Sequence, residues 1–185
     1  MLEDTYVKIE FGSGKKIKSG FISSDIRSLP NVKHVCNCWE IDQHVSENSI
    51  EEIYSRHMFE HLTFKQGRMA LRSWYKILQK NGKVNLILPD LKYHIQEYIN
   101  YYDNRETSHF PFPSFLHSVG SIFGWQTEKE QSDHFTASQD LWDVHKSGYD
   151  ERSLRELVES CGYINFERQP NPKGPWHLEV IFFKE

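Results

Sequence analysis

Two groups of residues in this 185-residue chain have types and spacings that could do chemistry. The first is Glu10-Phe11-Gly12-Ser13-Gly14, which follows a short apolar run and is answered eleven residues on by Asp25. Glycines at such a place allow a tight turn and close approach of backbone to a ligand, and a carboxylate on either side can take hydroxyl or amine donors. The second is His57-Met58-Phe59-Glu60-His61. Imidazoles titrate near neutral pH and serve as bases or metal ligands.

Both groups exclude several chemistries. A dinucleotide fingerprint needs a third glycine at position 17, which is Ile17, and no Gly-Lys-Ser/Thr ends the turn as a P-loop requires. His57 and His61 at i, i+4 would share a helical face, but the zincin order places glutamate directly after the first histidine, and Glu60 is three residues on. No metal is therefore expected. Cys36 and Cys38 lack a second pair and read as buried thiols. Glu60 and His61 could equally cap and pack a helix start, Gly12 and Gly14 could form a plain turn, and Asp25 could be a solvated turn residue.

These groups need elements to hold them. Strands are predicted over 6–11, 21–26, 33–38 and 49–54 from short apolar or alternating runs. Phe64 to Gln79 reads as a helix, with Leu71, Trp74, Tyr75 and Leu78 on one stripe and Asn81-Gly82 to close it. "KVNLILPD" (Lys83 to Asp90) reads as a buried parallel strand, and Leu91 to Tyr102 and Asp150 to Cys161 as helices. Strands over 163–169 and 176–184, joined by "PNPKGP", must be antiparallel because that loop is too short for a crossover. The expected fold is an α/β three-layer sandwich with a Rossmann-like, mostly parallel sheet, in one domain covering 1–185. Residues 105–146, rich in prolines, rings and histidines, break the alternation and are expected to cover a pocket.

The combination of an acid, a Gly-x-Gly turn and a second acid ending strand two resembles the nucleotide-binding half of class I S-adenosylmethionine-dependent methyltransferases. The likeness is greatest to the small bacterial type-11 group. It extends over "SIEEIYSRHMFEHL" (Ser49 to Leu62), "LQKNGKVNLILPDL" (Leu78 to Leu91) and "HKSGYDERSLRELVESCGY" (His145 to Tyr163). It implies seven strands with the last antiparallel, S-adenosylmethionine as cofactor and S-adenosylhomocysteine as product. It assigns donor binding to Glu10, Gly12, Ser13, Gly14, Asp25, Ile26, Asn37, Cys38, Arg56 and His57. Asn37 departs from the more usual aspartate, though its amide oxygen can still accept from an adenine amine. His145 reappears in the family pattern, so His57, His61 and His145 are the catalytic candidates, with Asp90 a fourth base.

The acceptor is expected to be a small molecule or a sugar of a glycan precursor. The alternative is a non-catalytic donor-binding or scaffold module with the same fold. A net charge of −4 argues against nucleic acid as partner. The longest apolar runs are too short to span a membrane. An acidic start (Leu2-Glu3-Asp4) and an odd number of cysteines, three, favour a cytoplasmic protein. A homodimer is left open.

Overall fold

Ile9 and Phe11 are buried, and the register carries their side of the first strand straight across the sheet. Ile9 lies opposite Ile53, Ile53 opposite Val84, and Val84 opposite Phe182, all fully buried. Phe11, Ser55, Leu86 and Val180 form the next such row. The computed structural model describes residues 8–105, 114–125 and 144–185. Its strands are β1 (Lys8–Phe11), β2 (Ile22–Asp25), β3 (His34–Val35), β4 (Ile50–Arg56), β5 (Leu78–Pro89), β6 (Tyr163–Gln169) and β7 (His177–Lys184). They form one seven-stranded sheet in the order β3-β2-β1-β4-β5-β7-β6, in which only β7 runs against its neighbours. Strand order reverses between β1 and β4, the place where open α/β sheets bind ligands.

The helices are α1 (Phe64–Ile77), α2 (Leu91–Tyr102), α3 (Ser114–Phe123) and α4 (Glu151–Glu159). Thr63 caps α1 in a reciprocal box with Gln66, and Asp150 caps α4 in the same way with Ser153. Both helices bury their stripes on the Ile9/Phe11 side. Trp74 of α1 stacks on Phe11 at 4.7 Å between centroids, the Tyr163 hydroxyl donates to the Leu71 carbonyl at 2.9 Å, and Leu154 and Val158 of α4 join the same core.

The opposite face is dressed differently. The row Lys8, Glu52 and Lys83 is an ion-pair ladder, with Lys8–Glu52 at 3.1 Å and Lys83–Glu52 at 2.9 Å. The β1–β2 and β2–β3 connections, 12–21 and 26–33, contain no helix. The first of them folds back over this face instead, setting the Lys18 ammonium 4.2 Å from the Tyr54 ring centre and Phe21 against the same ring. Among the described residues, this part of the face is covered by side chains and a loop.

Several boundaries move from those predicted. β3 is two residues long: Cys36 still donates its N–H to the Asp25 carbonyl of β2 at 3.2 Å, and the chain then turns, the Glu40 N–H donating to the Asn37 carbonyl at 2.9 Å. α1 stops at Ile77, since Leu78 is extended and opens β5. Asn81 does adopt a left-handed φ of 60°, but inside β5, where pairing with β4 shifts register. β6 carries a comparable irregularity between Ile164 and Glu167, with Asn165 at φ 54°.

Candidate functional site

The turn after β1 is pinned to β2. Gly12 and Ser13 N–H groups donate to the Ser24 carbonyl at 2.8 and 3.3 Å, and the Gly14 N–H donates to Asp25 Oδ2 at 2.9 Å. Gly12 and Gly14 both have positive φ, 68° and 59°. A Cβ on Gly12 would lie 2.5 Å from Met58 Cγ. The close approach that requires glycine here is therefore to a side chain of the β4 end, rather than only to a ligand. It also brings the His57–His61 stretch directly against the turn.

Glu10 is buried, and its Oε2 accepts the Lys18 N–H at 2.6 Å. Burial pushes its carboxyl above the ordinary range, and the Lys18 amide and charge pull the other way. Ser13 is buried too, and its hydroxyl has no partner among the described residues. Asp25 differs from the expectation of a waiting carboxylate. Its Oδ1 accepts the Arg27 N–H and Nε at 2.9 and 3.0 Å, and its Oδ2 accepts Gly14 N–H and the Arg27 terminal nitrogen at 2.9 and 3.1 Å. Burial alone would raise this carboxyl, but the Arg27 and Gly14 bonds outweigh it and hold the group below its usual value.

Farther along, Asn37 donates its amide nitrogen to Glu40 at 2.9 Å, which orients the amide. Cys38 is buried, its thiol pushed up by that burial, and its carbonyl accepts the Trp74 indole N–H at 3.0 Å. Ile26 leaves β2 exposed, at 44%. Arg56 is half-buried at the end of β4, beside the fully buried Ser55, whose hydroxyl is also unpartnered among the described residues.

His57 has φ 49°, unusual for a residue with a side chain, and ends the strand register by donating its N–H to the Ile87 carbonyl at 2.9 Å. A short 3-10 turn, Phe59–His61, follows. His57 and His61 are therefore not on one face of a helix, as their spacing predicted. The array is split, with different partners for each member. His57 Nδ1 lies 3.2 Å from Glu60 Oε1, and its ring packs 4.8 Å from that of His177. His61 and His145 meet edge-on at 4.9 Å, beside Glu60, whose carbonyl accepts the Lys146 and Ser147 N–H groups. Asp90 is not free to act as a base. Its Oδ1 caps α2 and its Oδ2 pairs with Arg168 at 2.8 Å.

All three histidine candidates thus converge on Glu60, and the donor-binding candidates follow the ends of β1, β2, β3 and β4. Arg27, Met58, Trp74 and Glu60 were not singled out as partners. Only Glu60 had a readable signal, as the acid inside His-Met-Phe-Glu-His. Of the segment expected as a cover, 106–113 and 126–143 lie outside the described residues. Its helix α3 is fastened to this region through the Ser121 and Phe123 carbonyls, which face His145 Nδ1 and N at 2.8 and 3.2 Å.

No family model matches the chain, and no curated protein sequence matches it. Solved structures do. An S-adenosylmethionine-dependent methyltransferase from Thermotoga maritima, described as a possible histamine N-methyltransferase, superposes with a TM-score of 0.60 at 11% identity over 97% of this chain and 82% of its own. One from Methanosarcina mazei gives 0.56 at 12% over 96% and 91%. The chain has the fold of the class I S-adenosylmethionine-dependent methyltransferases. A third structure, 1,6-didemethyltoxoflavin-N1-methyltransferase from Burkholderia thailandensis, holds its substrate and S-adenosylhomocysteine. It gives a TM-score of 0.56 at 12% identity over 97% of this chain and 70% of its own. The chain spans 62% of another matched structure, a protein from Bordetella parapertussis. Among the described residues no helix is long and apolar enough to cross a membrane.

Proposed function

We propose that the protein is an S-adenosylmethionine-dependent methyltransferase acting on a small-molecule or sugar-type acceptor. The observation that carries this reading is the cradle at the strand-order reversal. Glu10, the Gly12–Gly14 turn and Asp25 stand together at the carboxyl ends of β1 and β2, with the buried Ser13 hydroxyl unpartnered among the described residues. An orphaned buried hydroxyl beside a glycine turn and a buried carboxylate suits a ligand with an amino-acid end. In this reading Glu10 and the turn hold the methionine part, and Asp25 accepts from the ribose. Asn37 and Cys38 bind the adenine edge, Ile26 packs on its face, and Arg56 and His57 border the reactive end.

The bound donor supplies an electrophilic methyl group on sulfur. The chain then has to position the acceptor and take its proton. With Nδ1–H donated to Glu60, His57 presents Nε2 as the basic atom, the arrangement of a base oriented by a carboxylate. His61 and His145 border the acceptor side, where α3 is fastened through His145.

The test is calorimetric titration with S-adenosylhomocysteine, followed by an acceptor screen with labelled donor. Asp25→Ala is expected to weaken binding by ~1.5–3 kcal/mol, the worth of hydrogen bonds to a charged group. His57→Ala is expected to bind the product normally and lose about 10²–10⁴-fold in turnover. Undiminished binding by a folded Asp25→Ala protein would remove the cradle from the donor site. Donor binding without transfer to any acceptor would mark a binding module.

A further inference from the structure

Glu60, His61 and His145 each offer a metal-binding atom, and these three atoms lie within 4.8 Å of one another. Glu60 is only 2% exposed. One of its oxygens is met by His57, while the other, Oε2, is buried with no partner among the described residues. A buried carboxylate oxygen left unpaired is costly unless positive charge stands beside it. The imidazoles are already set to supply the complement. His61 Nδ1 lies 3.2 Å from the Val144 carbonyl, and His145 Nδ1 lies 2.8 Å from the Ser121 carbonyl. A carbonyl only accepts, so Nδ1 is the donor in both contacts, and in the neutral ring Nε2 is the nitrogen that can bind a metal. Metal-binding histidines are oriented by this kind of second hydrogen bond.

We propose that Glu60 Oε2, His61 Nε2 and His145 Nε2 form a site for a divalent transition-metal ion of the zinc class. Two imidazoles and a carboxylate are a nitrogen-rich set that suits zinc, cobalt or nickel and not magnesium or calcium, which take oxygen. Three protein ligands leave at least one position for water or an acceptor oxygen. The ion joins the 3-10 turn after β4 to the segment that leads into α4. It also holds the glutamate whose other oxygen orients His57. The site does not depend on the methyl-donor reading.

The other histidine–carboxylate cluster, His94, Glu97 and His117, is arranged differently. His117 Nδ1 lies 3.0 Å from Glu97 Oε1 and 2.9 Å from Oε2, and Oε2 also accepts the Ser118 hydroxyl at 2.7 Å, so both oxygens are met within the protein.

The whole chain, stripped with a chelator, should be titrated with cobalt(II) and then zinc(II). The expected result is one cobalt ion per chain with visible d–d absorption, displaced by zinc. His145→Ala and Glu60→Gln should each lower affinity by more than the ~100-fold upper end typical of supporting residues, while His34→Ala, outside the cluster, binds normally. His145→Ala is the deciding variant, because Glu60→Gln also releases His57. X-ray absorption of the zinc-loaded wild type gives a second, mutation-free measurement. It should show only nitrogen and oxygen neighbours at about 2.0–2.2 Å. A sulfur shell at about 2.3 Å would assign the metal to the cysteines and overturn the proposal. So would the absence of cobalt binding, or binding that survives His145→Ala.

Discussion

Asp25 has about four lone-pair positions, and four donors already fill them: two backbone amides and two guanidinium nitrogens of Arg27. A ribose that is to bond this carboxylate has to displace Arg27, whose side chain is half exposed and able to swing into water. On the donor-binding reading, Arg27→Ala should therefore tighten S-adenosylhomocysteine, by roughly fivefold if the pair contributes about 1 kcal/mol. Weaker binding in that variant would mean that Arg27 helps hold the ligand. None of this was legible in the sequence. Asp25 could be read as an acid at a strand end, but which lone pairs a neighbour two residues away would occupy depends on side-chain rotamers. The same holds for His57. Its spacing to His61 suggested one helical face, and only the backbone, with φ 49° and a 3-10 turn, shows the two rings taking different partners, Glu60 and His177 for His57 and His145 for His61.

At the scale of elements the sequence was far more informative. Alternation and helical stripes reflect burial, and burial is what the sheet and α1 impose, so β1, β2, β4, α2, β6 and β7 fall within a few residues of where the pattern puts them. The ends escaped it because they are set by tertiary pairing. Leu78 continues the stripe of α1, yet it pairs with Ile50 as strand. Trp74 shows what the stripe alone conceals. Besides stacking on Phe11 and packing against Phe59, its indole holds the Cys38 carbonyl at 3.0 Å, which ties α1 to the loop assigned to adenine. Trp74→Phe should cost about 1–3 kcal/mol for the orphaned buried carbonyl, with a cavity term in addition. Urea denaturation would measure it. A loss confined to a few tenths of a kcal/mol would mean that water replaces the indole and the tie is unimportant.

For the molecule as a whole, acid should be destabilising well before its carboxylates protonate. His94 is buried between Glu97 on its own helix, His117 on α3 and the Trp176 carbonyl. Burial, and next the nearby His117 charge, pull it down from 6.5 to about 4. His177 is brought down to about 4 by burial and then by His57. Each binds fewer protons folded than unfolded, so stability is complete above about pH 6.5 and falls as pH drops towards 4. For His94 the loss is of order 3 kcal/mol at most, and it is smaller for the more exposed His177. Denaturation midpoints at pH 7 and pH 5 should differ accordingly, and His94→Gln should flatten the difference; an equal slope in that variant would take His94 out of the account. The rims of the sheet have a further consequence. At one rim β3 is only two residues long, and at the other β6 is kinked by its irregularity at Asn165. Neither offers the straight row of amides and carbonyls on which another strand can template. Self-association of this chain is steered away from a continuous sheet running through neighbouring molecules, and towards contacts made by its faces and helices.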